Sequence, residues 1–138
     1  MAESNLLERM RGLGLRVTAQ RRAIAEALDG RDVHLTAEEV HQRASRALPE
    51  LSLATVYNTL HQMVSTGLVA EDHHVPGPTR YDPAPQPHHH LYCRHCGRLE
   101  DVDAESVGPV TMDDARQRSF HVESVTVTFV GTCAACRQ

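Results

Sequence analysis

Two Cys-x-x-Cys pairs, Cys93/Cys96 and Cys133/Cys136, hold all four cysteines of the chain and stand 36 residues apart. Each pair makes a tight knuckle with both sulfurs on one side, and two knuckles complete a tetrahedral thiolate set with no open position, the arrangement of a structural Zn(II) site. The gap is longer than a simple zinc ribbon needs, so the ion is expected to pin a strand pair and a helix together. Two alternatives compete with zinc. Disulfides suit secreted chains, and a redox Cys-x-x-Cys needs no twin at the end of a distant strand.

The N-terminal stretch MAESNLLERMRG has neither a hydrophobic signal core nor a small-residue cleavage site, which points to a cytoplasmic protein. No run of apolar residues approaches the length of a membrane span. With 41% hydrophobic and 23% charged residues the 138-residue chain reads as folded, while only 4% aromatics and no Trp favour two modest cores or a dimer sharing apolar surface. A net charge of −4 excludes a uniformly basic nucleic-acid coat. Residues 1–25 nevertheless carry Arg9, Arg11, Arg16, Arg21 and Arg22 against Glu3 and Glu8, a patch suited to phosphate or simply to solvent.

Helix signals dominate the first half. Asn5 and Glu8 open a helix with Leu6, Leu7 and Met10 on one side, closed by Gly12 and Gly14. Thr18 caps a second helix bearing Ile24, Ala25 and Leu28. Thr36-Ala37-Glu38-Glu39 is a capping box, with Leu35 and Val40 as a hydrophobic staple, and starts a third helix that stops before Pro49. Ser52 caps a fourth, with Leu53, Val56, Leu60, Met63 and Val64 at helical spacing and Gly67 as the stop. Its other face, Ala54, Thr55, Asn58, Thr59 and Gln62, has no acidic side chain. Such a face suits DNA, although uncharged polar faces are common.

Two short strands at 69–71 and 79–81, joined by a turn with His73, His74, Pro76, Gly77 and Pro78, complete a winged helix-turn-helix over residues 1–82. The His73/His74 turn reads as an exposed loop. Pro83, Pro85 and Pro87 make a linker over 83–87, and residues 88–138 form a second, small α/β domain. Strands are expected around Leu91/Tyr92 and Leu99/Val102, and a late one from Val125 to Val130; Gly108-Pro109 leaves room for a short helix after Thr111. For DNA contact the candidates are Arg16 and Arg22 at phosphates, with Ser52, Thr55, Tyr57 and Asn58 around the fourth helix. The Tyr57 ring either meets a thymine methyl or packs half-buried. His88 and His90 alternate along an extended segment and so share a face, with His89 opposite and Asp101 and Asp82 as further candidate ligands.

In combination, LRVTAQRRAI, HLTAEEVHQRA, LSLATVYNTL, the HHHLYCRHCG block and the terminal GTCAAC resemble the ferric uptake regulator (Fur) family over nearly the whole chain. That resemblance implies an α+β fold, with an N-terminal winged helix-turn-helix and a C-terminal α/β dimerisation domain, in a metal-dependent repressor. It implies structural zinc at Cys93, Cys96, Cys133 and Cys136. Within the family the chain is most similar to the peroxide-responsive repressor (PerR) subgroup, which implies a regulatory site at His34, Asp82, His88, His90 and Asp101. Iron-sensing members more often have Glu where this chain has Asp101, and zinc-sensing relatives often have Cys where it has Asp82. Pro87, Gly108 and Val125 stand near where some iron sensors carry an additional metal site, so that site is expected to be absent, and His121 has no counterpart.

Three imidazoles and two carboxylates suit Fe(II) or Mn(II), with Zn(II) also able to bind. The resemblance implies a homodimeric, non-enzymatic repressor on double-stranded DNA that senses hydrogen peroxide by Fe(II)-dependent oxidation of His34 or His88, and a closed dimer with two identical helices leads to the expectation of an inverted-repeat operator. The alternatives are an iron, zinc or nickel homeostasis regulator of the same family and, more distantly, a zinc hydrolase, for which the closed thiolate set leaves no position for water.

Overall fold

Leu6, Leu7 and Met10 fall on one face of the first helix, α1 (Asn5–Gly12), and all three are buried. Gly14 follows at φ 74°, a conformation side-chain-bearing residues avoid, and turns the chain toward the next element. Thr18 caps α2 (Ala19–Leu28) by accepting the Arg21 amide, and Ala23, Ile24, Ala25 and Leu28 form its buried face. The computed structural model describes residues 5–30, 33–73, 75–84 and 86–138. His74 and Pro85 lie outside the described residues.

Leu35–Thr36 is a two-residue strand, β1, and Thr36 also caps α3 (Ala37–Ala47). The capping box is complete: the Thr36 hydroxyl accepts from the Glu39 amide at 3.2 Å, and the Glu39 carboxylate accepts from the Thr36 amide at 3.1 Å. Val40 and Ala44 bury the inner face. Ser52 caps α4 (Leu53–Ser65), whose entry is fixed by His41 of α3 donating through Nε2 to the Leu51 carbonyl at 2.7 Å. Val56, Leu60 and Met63 join Ile24, Leu28 and Val40 in one core. Each such side chain stabilises the fold by about 1.5–3 kcal/mol through burial. Thr59, placed by periodicity on the outer face of α4, is instead buried, because the helix packs over a broader arc than its apolar residues mark.

Strands β2 (Ala70–Asp72) and β3 (Arg80–Asp82) lie one residue later than their sequence pattern suggests, and β1 pairs with β3 to complete a three-stranded antiparallel sheet of order β1-β3-β2. Three helices, the capped α4 and this small sheet form a winged helix-turn-helix within one compact unit, Met1–Pro85.

The second unit, Gln86–Gln138, is built on β4 (His88–Cys93), which pairs antiparallel with β5 (Leu99–Asp103) and parallel with β6 (Thr128–Gly131). The late strand is shorter than its Val/Thr alternation implies. Residues Val125 and Val127 lie before it, and Val127 is held by its backbone alone: its carbonyl accepts from the His90 amide at 2.9 Å, and its amide donates to His89 Nδ1 at 2.8 Å. Gly108 at φ 78° ends α5 (Ala104–Val107), a turn of helix the sequence pattern did not mark, and α6 (Asp114–Gln117) follows. Among the described residues, no helix is long and apolar enough to cross a membrane.

Arg9, counted from sequence in the basic N-terminal patch, turns inward within the first unit. Its guanidinium donates to the Pro83 carbonyl at 2.8 Å and to the Leu68 carbonyl at 3.0 Å, joining α1 to the segments that enter and leave the wing. Hydrogen bonds from a charged group are worth about 1.5–3 kcal/mol. Arg9→Met, which keeps the aliphatic stem, is expected to destabilise the protein by about 2 kcal/mol in urea unfolding. Arg46→Met, at an exposed position, should change stability by less than about 0.5 kcal/mol.

Candidate metal centres and nucleic-acid interface

Parallel pairing of β4 with β6 sets Cys93 opposite Gly131, two residues before Cys133, and the Arg94 amide extends the ladder to the Gly131 carbonyl. Both knuckles therefore emerge at the same end of one sheet. One sulfur from each of Cys93, Cys96, Cys133 and Cys136 lies within 4.8 Å of the others, and Cys96 Sγ is 3.8 Å from Cys133 Sγ. Sulfurs about 2.3 Å from a tetrahedral zinc stand about 3.8 Å apart, whereas a disulfide requires about 2.05 Å. All four cysteines are free thiols. The amide of Cys133 donates to Cys93 Sγ at 3.3 Å and, with the Cys96 and His95 amides, pulls the Cys93 thiol down to about 6. Cys136 is pushed up to about 12, chiefly by its hydrogen bond with the Cys133 side chain. Amide hydrogen bonds thus let one thiolate form readily while the neighbouring thiols oppose the last, a distribution that a dication would level by drawing all four into thiolate form.

On the same strand, antiparallel pairing sets His90 directly opposite Asp101, and His88 is its diagonal neighbour on that face. His88 Nε2 is 3.1 Å and His90 Nε2 3.9 Å from Asp101 Oδ1, and the two imidazoles meet edge to face with centroids 4.8 Å apart. The His88 Nδ1–H donates to the Gln86 carbonyl at 2.9 Å, which leaves Nε2, the nitrogen facing Asp101, as the one available to a metal ion. Such a carbonyl contact is how metal-binding imidazoles are usually oriented. His89 points the other way and is buried against Val127, so it does not join this group. His121 is exposed.

In the first unit, the β1–β3 register pairs Leu35 with Tyr81, and one further step sets His34 opposite Asp82. Both are buried, with His34 Nδ1 3.6 Å from Asp82 Oδ2. The other carboxylate oxygen, Oδ1, accepts the Ala84 amide at 2.8 Å, so an Asx-type turn fixes the carboxylate direction. Nothing in the periodicity marked β1, so the sequence brought His34 and Asp82 together only through the family resemblance and not through any strand pattern. His73 belongs to neither group. Its Nε2 is 3.0 Å from Glu71 Oε2 and its Nδ1 3.3 Å from Thr79 Oγ1, across the wing.

Arg16, Arg22, Ser52, Tyr57 and Asn58 are exposed and Thr55 is half-buried. Arg22 lies 3.9 Å from Glu26 in an exposed i,i+4 pair of little energetic weight. Arg21 instead serves structure, donating to the Arg16 carbonyl at 2.7 Å and to Gln62 Oε1 at 3.1 Å, and so ties the start of α2 to α4. The Tyr57 hydroxyl donates to Glu38 Oε1 at 2.9 Å, a contact with no sequence signal.

Residues 12–130 match the ferric uptake regulator family. The chain belongs to this family. It is 32% identical over 130 residues to the peroxide operon regulator of Bacillus subtilis (strain 168), covering 94% of this chain and 90% of that protein. Among solved structures, the Campylobacter jejuni peroxide stress regulator is similar at 26% identity with a TM-score of 0.69, over 96% of this chain and 99% of that one. The Helicobacter pylori ferric uptake regulator shares the fold at 20% identity with a TM-score of 0.74, over 100% and 95%. A winged helix-turn-helix followed by a small α/β unit with a four-cysteine cluster is thus the fold of a Fur family chain.

The four-sulfur geometry leads to a direct expectation. Cys93→Ser and Cys133→Ser proteins should each lose a chelator-resistant zinc ion and the amide-exchange protection of β4, β5 and β6, because the binding energy of a structural zinc, about 10–16 kcal/mol, is folding energy for the unit it closes. Elemental analysis and exchange mass spectrometry check this. A Cys93→Ser protein that keeps both zinc and protection excludes the assignment.

Proposed function

We propose that this Fur family protein is a metal-dependent homodimeric repressor that responds to hydrogen peroxide through oxidation of a histidine ligand. The supporting observation is the composition and preparation of the nitrogen and oxygen donors. His88, His90 and Asp101 converge on adjacent strands, His34 and Asp82 on another strand pair, and no thiol is among them. The second unit offers three donors and the first two, each short of a full coordination sphere. In the proposed site one ion takes His34, Asp82, His88, His90 and Asp101 together. Five hard or borderline donors fit Fe(II) or Mn(II), and they leave a sixth position open. The four cysteines hold a separate structural Zn(II).

When bound, Fe(II) would lend one electron to cleave the O–O bond of hydrogen peroxide and regain it as the ring is oxidised, chemistry that Mn(II) in the same donors does not readily supply. The chain's own residues do the rest. His88, oriented by its Nδ1–H bond to Gln86, and His34, buried against Asp82, present carbon edges beside the donor atoms, and one of them takes up an oxygen atom with water as the other product. The oxidised ring is a poorer ligand, so the ion and the DNA are released together. Each protein molecule is consumed by its signal, which makes it a sensor and not an enzyme. Because the ligands come from both units, the ion's presence sets the spacing of two α4 helices in the dimer, and the dimer's two-fold symmetry calls for an inverted-repeat operator in cytoplasmic double-stranded DNA. Arg16 and Arg22 meet phosphates, and Ser52, Thr55, Tyr57 and Asn58 meet the major groove.

DNA binding by the Fe(II)-loaded and Mn(II)-loaded proteins, before and after brief peroxide, is the deciding measurement. Only the Fe(II) form should lose binding, with one added oxygen on a peptide containing His34 or His88 and all four zinc-bound thiolates intact. Asp101→Glu should keep metal-dependent binding and blunt the peroxide response. An indifferent Fe(II) form, or inactivation that tracks Cys93 or Cys133 oxidation and zinc loss, leaves an iron, zinc or nickel homeostasis regulator instead. Arg16→Ala should weaken operator and random DNA alike and lower the salt dependence by about one counterion.

A further inference from the structure

On the first unit, a cleft of about 230 Å³ opens between α4 and the wing, with Glu38, Tyr57, His61, Glu71, Thr79 and Tyr81 among its lining. Glu38 is out of place there if this face meets DNA. An exposed carboxylate beside a phosphate-facing helix opposes binding to any duplex, because protein–DNA affinity comes largely from neutralised phosphates. Yet the side chain is held firmly. It sits in the first turn of α3, where the helix dipole favours an anion, and its own backbone amide and the Tyr57 hydroxyl both keep its carboxyl below the usual carboxylate range.

The partner it holds matters more than the charge. Tyr57 is 36% exposed on α4, next to Asn58 and two residues from Thr55. A tyrosine has two side-chain torsions, and anchoring its hydroxyl 2.9 Å from Glu38 Oε1 fixes both, so the ring is presented in one orientation before any ligand arrives. We propose that Glu38 is a specificity-determining positioning residue: it fixes the Tyr57 ring for contact with base edges, while its charge lowers the affinity for every duplex alike, so that stable binding depends on those base contacts. This role rests on the DNA-binding function proposed above and extends it to a residue outside the groove-facing surface of α4.

The test uses the full-length, zinc-containing, Mn(II)-loaded protein. A duplex is first selected from a randomised pool by the unsubstituted protein, and binding to it is compared with binding to a scrambled duplex of the same composition. Glu38→Ala and Tyr57→Phe should each lower the ratio of the two affinities about tenfold, within the usual range for one base-reading contact, and the double variant should lose no more than either single one. Glu38→Gln keeps an acceptor for the hydroxyl, so it should retain the ratio within about twofold while tightening binding to both duplexes. Thermal midpoints check folding, and Tyr57→Phe, which removes only the donor, carries the test should Glu38→Ala melt early. An unchanged ratio in Tyr57→Phe or in a folded Glu38→Ala protein overturns the role, as do losses that multiply in the double variant. If the unsubstituted protein enriches no sequence at all, the DNA-binding function itself falls, and this role with it.

Discussion

Strand β4 is hydrogen-bonded along both edges, and nearly all the chemistry of the second unit follows from that one constraint. Its antiparallel register with β5 decides that Asp101 faces His90 and lies diagonal to His88. Its parallel register with β6 decides that Cys133 arrives beside Cys93. A shift of one residue against β5 would turn Asp101 to the opposite face, where His89 points. A comparable shift against β6 would misplace the second Cys-x-x-Cys by about 3.3 Å, more than tetrahedral ligation tolerates. His89 helps to prevent the second of these shifts. Its ring accepts the Val127 amide from the opposite side of the strand, where β6 has not yet begun to pair.

In the first unit the comparable constraint is smaller, two residues of strand. Pairing of β1 with β3 sets His34 against Asp82 and simultaneously places Thr36 to cap α3. Helix α3 then fixes α4 through His41 and holds Tyr57 through Glu38. Arg9 secures the chain just beyond Asp82 and just before β2. The candidate ligands His34 and Asp82 and the exposed face of α4 are therefore built on one connected set of hydrogen bonds. An ion held by that pair would act on the helix through elements already rigid, with no mobile loop between them.

Helix boundaries were legible because they are written locally. Thr18, Thr36 and Ser52 each accept an amide three residues on, and the buried positions of α1 and α2 follow their apolar spacing. The thiol cluster was legible because a Cys-x-x-Cys knuckle carries its own geometry. Strand β1 was not, since Leu35 and Thr36 become a strand only by pairing with β3, 44 residues away in the 36–80 pair, and no local pattern encodes that. The late strand was overread for the complementary reason: Val and Thr alternate from 125, but pairing with β4 by regular strand geometry starts at Thr128. The inward turn of Arg9 and the Glu38–Tyr57 bond lay beyond reach, because both depend on how helices pack and not on residue type.

The second unit raises a stability problem that its two sets of ligands resolve differently. Of its residues only His89, His90, Cys93 and Leu99 are buried, while Leu91, Val110, Met112, Phe120, Phe129 and Val130 are exposed, Phe120 at 75%. A segment of this size with so little core does not hold a sheet by apolar burial alone. In the proposed dimer the exposed apolar side chains are covered by the second copy, and four thiolates on a d¹⁰ ion close the sheet at one end. Thiolates bind such an ion tightly and exchange it slowly, as a structural role requires. In the proposed site, the imidazoles and carboxylates at the other end of β4 would bind a harder ion more weakly, as a sensor requires. Placing both on six residues of one strand has a consequence for signalling. With zinc holding Cys93 in register, His90 stays opposite Asp101 and His88 diagonal to it whether or not an ion is bound there, so the donors of this unit would meet a regulatory ion in a sheet already arranged.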